Sequence, residues 1–241
     1  MPPPPAPPPP PPLPPPPPSP PSPDTRTLAG LPNLRLFDHP LIQHKLTQIR
    51  DERTGYQAFR ALLAEIAGLM VFEATRDFPT QDVTVRTPME PTVGKVLKGT
   101  ITVVPVLRSG LGMAEGVLGV MPEARVGHLG LARDEETLRP KTYLRKLPRA
   151  LGDGPVVLVD PMLATGGSAS AAITMLKEAG ASGGGDLRLL CLVAAREGVK
   201  RLLDDHPDVV IYAAALDREL NARGFIIPGL GDAGDRMYGT T

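Results

Sequence analysis

Apolar residues recur at helical spacing between Pro40 and Phe78. Leu41, Ile42, Leu46 and Ile49 come first, and Phe59, Leu62, Leu63, Ile66, Leu69 and Met70 follow beyond Gly55. The spacing predicts two amphipathic helices parted at the glycine. The period then changes. Five apolar, β-branched runs predict strands at about 100–107, 125–131, 155–160, 186–195 and 208–215, with helical patterns near 111–119, 168–179 and 197–205 between several of them. Strands that are apolar throughout and alternate with helices predict an α/β fold, a parallel twisted sheet flanked by helices on both faces. Residues 133–148 break the rhythm with charge, Pro140, Pro148 and Tyr143, and read as an exposed loop or β-arm. The last stretch of chain is Gly-rich and irregular, and no solenoid-type repeat is present.

Residues 1–23 hold 18 of the 31 prolines. Such a segment cannot pack a core and is expected to be a disordered, polyproline-II-like extension of roughly 70 Å when fully extended. It has neither the basic start nor the apolar middle of a secretory signal. A ligand for a proline-binding domain and a dispensable tail are both compatible with its composition. The expected organisation is a proline-rich tail over residues 1–30 and one domain over 31–241.

The 26 basic and 26 acidic side chains cancel. That balance points to neither a nucleic-acid-coating surface nor a trap for acidic substrates. A single Cys cannot build a disulfide framework, which favours a reducing cytoplasm, and Cys191 lies in an apolar run as a small core residue. No apolar stretch approaches membrane-spanning length, so no membrane partner is expected.

Chemistry concentrates in residues 156–168, Val-Val-Leu-Val-Asp-Pro-Met-Leu-Ala-Thr-Gly-Gly-Ser. A strand ends in Asp160, passes through a Gly-rich loop and opens into a helical pattern. That junction aims backbone N–H groups and the positive end of a helix dipole at one spot, which suits a phosphate. Gly166 and Gly167 permit close approach, and Thr165 and Ser168 add hydroxyls. Residues 100–112 repeat the logic, with Arg108, Ser109 and Gly110 where a strand stops and a helix begins. An Arg beside free amides fits a phosphate or diphosphate. Two anion sites at the carboxyl end of one sheet suggest a ligand with phosphates at two ends, with Arg133 and Lys141 as further sources of charge.

Other patterns carry less. Gly229, Gly231 and Gly234 match G-x-G-x-x-G, but Pro228 precedes them and seven residues follow, so no βαβ unit surrounds them. There is no Walker-type loop, no G-x-S-x-G elbow, and no metal-ligand spacing among His39, His44, His128 and His206.

Asp160 to Ser168 with its leading Val159 resembles the phosphoribosyl-diphosphate (PRPP) loop of the uracil phosphoribosyltransferases. The segment from Gly224 to Gly239 resembles that family's uracil-binding hood, and Leu107 to Gly112 and Arg133 to Leu138 also match family segments. The resemblance runs from about Leu36 to Thr240. It implies the type I phosphoribosyltransferase fold with a C-terminal hood and a β-arm, and conversion of uracil and PRPP to UMP and diphosphate. PRPP would be held by Arg108, Arg133, Asp160, Pro161, Met162, Leu163, Ala164, Thr165, Gly166, Gly167, Ser168 and Asp232. Of these, Asp160 would meet the ribose hydroxyls, Ala164 to Ser168 the 5′-phosphate, and the two arginines the diphosphate. Ile226, Gly231, Asp232 and Ala233 would form the uracil pocket, and Asp232 is the one candidate for a catalytic carboxylate. Mg²⁺ would arrive on the diphosphate with no direct protein ligand. A homodimer or higher homo-oligomer and a GTP effector are further implications. Three departures stand out: Arg196 where the family commonly has Pro, Glu219 where Gly is frequent, and an expanded loop over residues 181–186.

Two other classes fit parts of the chain. A PRPP- or UMP-sensing RNA-binding regulator could use the same fold, but the balanced charge disfavours the basic stripe it would need. A scaffold recruited through residues 1–23 would make the catalytic domain secondary.

Overall fold

The computed structural model describes residues 25–28, 30–133, 140–183 and 185–240. The disorder expected of residues 1–23 lies outside that set. The end of the expected tail is ordered: β1 (Thr25–Leu28) pairs antiparallel with β2 (Leu31–Phe37). The two predicted helices are α1 (Pro40–Arg50) and α2 (Tyr56–Ala74), with Gly55 as the cap residue that starts the second. After them come a two-stranded hairpin of β3 (Thr80–Arg86) and β4 (Pro91–Leu97), then β5 (Thr102–Leu107) and α3 (Gly110–Val120). The short β6 (Arg125–Val126) leads into β7 (His128–Arg133) and β8 (Pro140–Lys146). Next are β9 (Val156–Val159), β10 (Met162–Leu163), α4 (Gly167–Glu178), β11 (Leu187–Ala195) and α5 (Arg196–Asp205). The chain closes with β12 (Val210–Asp217), β13 (Glu219–Leu220), β14 (Ile226–Ile227) and α6 (Ala233–Tyr238).

The main sheet runs β1-β2-β12-β11-β9-β5-β7-β8. From β2 to β7 neighbours are parallel, and β1 and β8 close the edges antiparallel. The expected α/β architecture is present. Alternate side chains feed two cores. Val157 and Val159 pack with α1, α2, α3 and α6, whereas Val156 and Leu158 pack with α4 and α5. Alternation slips at Leu192 and Val193, which both face the first core. Their two N–H groups both donate to the Pro161 carbonyl, at 3.0 and 3.1 Å. Such a bulge lets the chain after β9 dock beside β11 as β10.

Of residues 133–148, Arg133 ends β7 and Pro140–Lys146 form β8, which pairs with β7 at the sheet edge; 134–139 lie outside the described residues. A second arm, the β3–β4 hairpin, was not expected. Its residues are exposed on both faces apart from Val83 and Gly94, so no apolar period marks it. The irregular C-terminal stretch contains α6, capped by Asp232, whose Oδ1 accepts from Asp235 N at 3.0 Å.

Candidate active site

The carboxyl ends of β5 and β9 lie side by side, and each feeds a loop and then a helix. The loop after β9 is held from behind. Gly166 has φ +79° and caps α4, and a side chain there would start 2.7 Å from the Gly198 carbonyl oxygen. Gly198 sits in the first turn of α5, where a Cβ would run into the Ala164 carbonyl oxygen. Loop and helix therefore touch backbone to backbone, which only glycine allows. On the open side, the N–H groups of Thr165 to Ser168 find no acceptor among the described residues. Unpaired N–H groups at the start of a 12-residue helix are a geometry that suits an anion. Pro161 and Leu163 are buried, so they could reach a ligand only through their backbone.

Asp160 is partly buried at the end of β9. Its Oδ1 accepts from Ser109 Oγ at 3.3 Å and from Met162 N at 3.5 Å. Burial pushes the carboxyl up to about 7, the nearby negative charge of Asp232 adds to the rise, and the two hydrogen bonds oppose it. Arg108 follows a cis peptide bond at the end of β5 and reaches the C-terminal segment. Its Nη2 lies 3.3 Å from Asp235 Oδ1, and its guanidinium stands over the Tyr238 ring at 5.7 Å. A side chain on Gly234 would meet both Asp232 and Arg108, so the glycine lets carboxylate and guanidinium converge. Arg108, Asp160 and Asp232 thus come together from three distant parts of the chain. Arg133 ends β7, the strand beside β5; its side chain lies outside those described.

The hood is the β13–β14 pair with the turn that follows. Gly229 (φ +61°) and Gly231 (φ +79°) shape that turn after a cis Ile227–Pro228 bond. Ile226 and Ala233 are buried, and Gly231 and Asp232 are exposed. Two arginines pin the turn. Arg50 donates to the Gly229 carbonyl at 2.7 Å and pairs with Asp217, which accepts the Gly229 N–H at 3.0 Å. Arg236 donates to the carbonyls of Leu230 and Ile49, both at 2.8 Å, and stands over Phe59. Sequence reasoning missed Asp235, the Arg50–Asp217 anchor and the backing by Gly198. None of the three left a local signal: Gly198 stands in the first turn of α5 like any small helical residue.

The family model of the uracil phosphoribosyltransferases matches residues 36–240. The chain belongs to the uracil phosphoribosyltransferase family. A uracil phosphoribosyltransferase of Halalkalibacterium halodurans is 55% identical over 206 residues, 85% of this chain and 97% of that protein. Another, from Clostridium kluyveri, is 56% identical over 203 residues, 84% of this chain and 96% of its own. A solved protein of Aquifex aeolicus superposes with a TM-score of 0.82 at 38% identity, covering 86% of this chain and 99% of that one. The chain is accordingly an enzyme of the phosphoribosyltransferase class. Its mostly parallel sheet flanked by helices is the fold that the sequence resemblance implied.

Proposed function

We propose that this member of the uracil phosphoribosyltransferase family joins uracil N1 to ribose C1 of PRPP, in the cleft between the 164–168 loop and the hood. The C1–O bond to diphosphate breaks, the N1–C1 bond forms, and the N1 proton leaves, giving UMP and diphosphate. The observation that carries the reading is the convergence of Arg108, Asp160 and Asp232 beside a helix-capped anion cradle. Ala164 to Ser168 hold the 5′-phosphate through their N–H groups. Asp160 holds the ribose hydroxyls, with Pro161 to Leu163 fixing its place by docking on β11. Arg108 faces the leaving diphosphate, with Arg133 as its partner there, and gives up its contact with Asp235 to do so.

Ile226, Gly231, Asp232 and Ala233 form the base pocket. Backbone N–H and C=O groups there read the imide edge of uracil. Cytosine reverses donor and acceptor at position 4 and N3 while keeping O2, and each buried group left unpaired costs on the order of 1–3 kcal/mol. Asp232 is the candidate acceptor for the N1 proton, with electrostatic positioning carrying the larger part of catalysis. Turnover retained in Asp232→Asn would remove the acceptor role.

No group of three or more His, Cys, Asp or Glu is arranged to hold a metal among the described residues. Asp232 and Asp235 are already engaged, Asp232 Oδ1 by Asp235 N and Asp235 Oδ1 by Arg108 and the Thr240 hydroxyl, so the ion's ligands come from the substrate. A site without a protein metal cluster among the described residues fits Mg²⁺ brought in on substrate phosphates and keeping its waters. When bound it neutralises charge on the leaving diphosphate.

A homo-oligomer belongs to the same proposal, supported by Val85, Met89, Val93, Val96 and Leu97 exposed along the β3–β4 hairpin. So do a GTP effector, which rests on the family resemblance, and a cytoplasmic setting, which rests on the single Cys. No helix among the described residues is long and apolar enough to cross a membrane. The test is diphosphate release from PRPP and Mg²⁺ with uracil, cytosine, orotate, hypoxanthine or no base, with and without GTP and with and without residues 2–24. Release with uracil alone is expected, unchanged by truncation. Release with another base, or with none of them, would overturn the reading.

A further inference from the structure

Between the 164–168 loop and the turn of the hood hairpin lies a recess of about 430 Å³, lined among others by Thr165, Arg201, Asn221 and Arg223. Apart from Thr165, none of these four belongs to the site described above. The two guanidinium groups come from separate elements, Arg201 from α5 and Arg223 from the turn joining β13 to β14, and no acidic residue lines the recess.

Of the two arginines only Arg201 has an ion pair among the described residues, and that contact is long. The nearest acid to Arg201 is Asp205 at 4.0 Å, and that carboxylate already accepts the Ser170 hydroxyl at 2.6 Å. The exposed Arg223 guanidinium makes no hydrogen bond or ion pair among the described residues. Packing sets the position of Arg201. Gly198 brings the first turn of α5 against the loop, and one turn on, Arg201 Nη1 lies 3.4 Å from where a Gly167 Cβ would stand. Its charge therefore sits directly behind the start of α4. Asn221 Oδ1 is committed to the turn, accepting from Arg223 N at 2.9 Å and Phe225 N at 3.0 Å, so only the amide NH₂ remains to donate outward. The Thr165 hydroxyl has no partner among the described residues.

The lining thus offers two cations and two neutral donors, and the one acid paired with either cation among the described residues, Asp205, lies outside the lining at 4.0 Å from Arg201. Guanidinium forks and hydroxyl donors in that arrangement match a phosphate dianion. We propose that this recess is a phosphate subsite held by Arg201 and Arg223, with Thr165 and Asn221 as neutral donors. Two sources of that chemistry exist. The 5′-phosphate of PRPP or UMP could extend from the loop toward the arginines, which rests on the loop reading above. A separate inorganic phosphate could instead bind beside an occupied loop.

Calorimetric titration of the full chain with inorganic phosphate, then with UMP, tests this. Arg201→Gln/Arg223→Gln is expected to weaken phosphate binding at least tenfold, with Arg201→Lys and Arg223→Lys retaining most of it. Loss of UMP affinity by a similar factor, with phosphate and UMP competing, assigns the subsite to the 5′-phosphate. Phosphate binding to UMP-saturated protein, with UMP affinity unchanged in the variant, assigns it to a separate anion. Wild-type protein that binds no phosphate, or a folded double variant that binds both ligands as wild type does, overturns the proposal. If the double variant fails to fold, Arg223→Gln alone, on the exposed turn, is read by the same criteria. The phosphate titration uses free protein, so it stands even if the transferred base is not uracil.

Discussion

Asp160→Asn sets the site against the fold. The carboxyl lies at about 7 in the folded chain against an ordinary 3.8, chiefly because burial disfavours its charge. A folded value above the unfolded one means that the native state keeps a proton the unfolded state has released. Stability therefore falls as pH rises from 3.8 toward about 7, and stays at its lower level above that. Asn keeps the Oδ1 acceptor used by Ser109 and Met162 and never carries the charge. The two proteins should match near pH 4, diverge through the window, and differ by a constant amount above it. The ceiling of that difference is about 4 kcal/mol, and water reaching a partly buried group reduces it to about 1–3 kcal/mol. Urea unfolding of unliganded protein at about pH 5, 6.5 and 8 measures it. The same variant should lose activity, on the order of 100-fold, because the ribose hydroxyls lose a charged acceptor. A stability difference that is flat with pH, or a variant less stable than wild type at pH 8, would refute the reasoning.

Three further substitutions separate the parts. Gly198→Ala puts a methyl group into the Ala164 carbonyl and pushes loop and helix apart; PRPP KM should rise about tenfold with uracil KM kept, at about 1–3 kcal/mol of stability, read by steady-state kinetics and unfolding. Asp217→Ala leaves the Arg50 guanidinium and the Gly229 N–H unpaired under the hood, so about 3–5 kcal/mol of stability should go and uracil KM should rise more than PRPP KM. Gly116→Ala drives α3 into the Ala64 carbonyl of α2, away from the site; stability should fall by about 1–3 kcal/mol in thermal unfolding while both KM values stay at wild type.

What the sequence reveals follows from how far apart the cooperating residues lie. Strands β5, β9 and β11 are buried on both faces and therefore read as apolar runs, broken only by Thr102 and Arg188 near their starts, and the 156–168 junction carries strand, loop and helix start within one local segment. The β3–β4 hairpin faces solvent on both sides, so its residues obey no burial period and no pattern announces it. The site is legible only where it is local. Arg108 meets Asp235 across 127 positions, and Arg50 meets Asp217 across 167, and both contacts depend on where the sheet delivers each strand end. The Gly198 contact shows the limit most clearly. In the chain it is a glycine after Glu197, indistinguishable from any small residue in a first helical turn. Only the parallel register of β9, β10 and β11 brings that turn against the Ala164 carbonyl. A phosphate loop is therefore encoded twice, once by its own glycines and once by a glycine 32 positions after Gly166 that keeps the helix behind it from intruding.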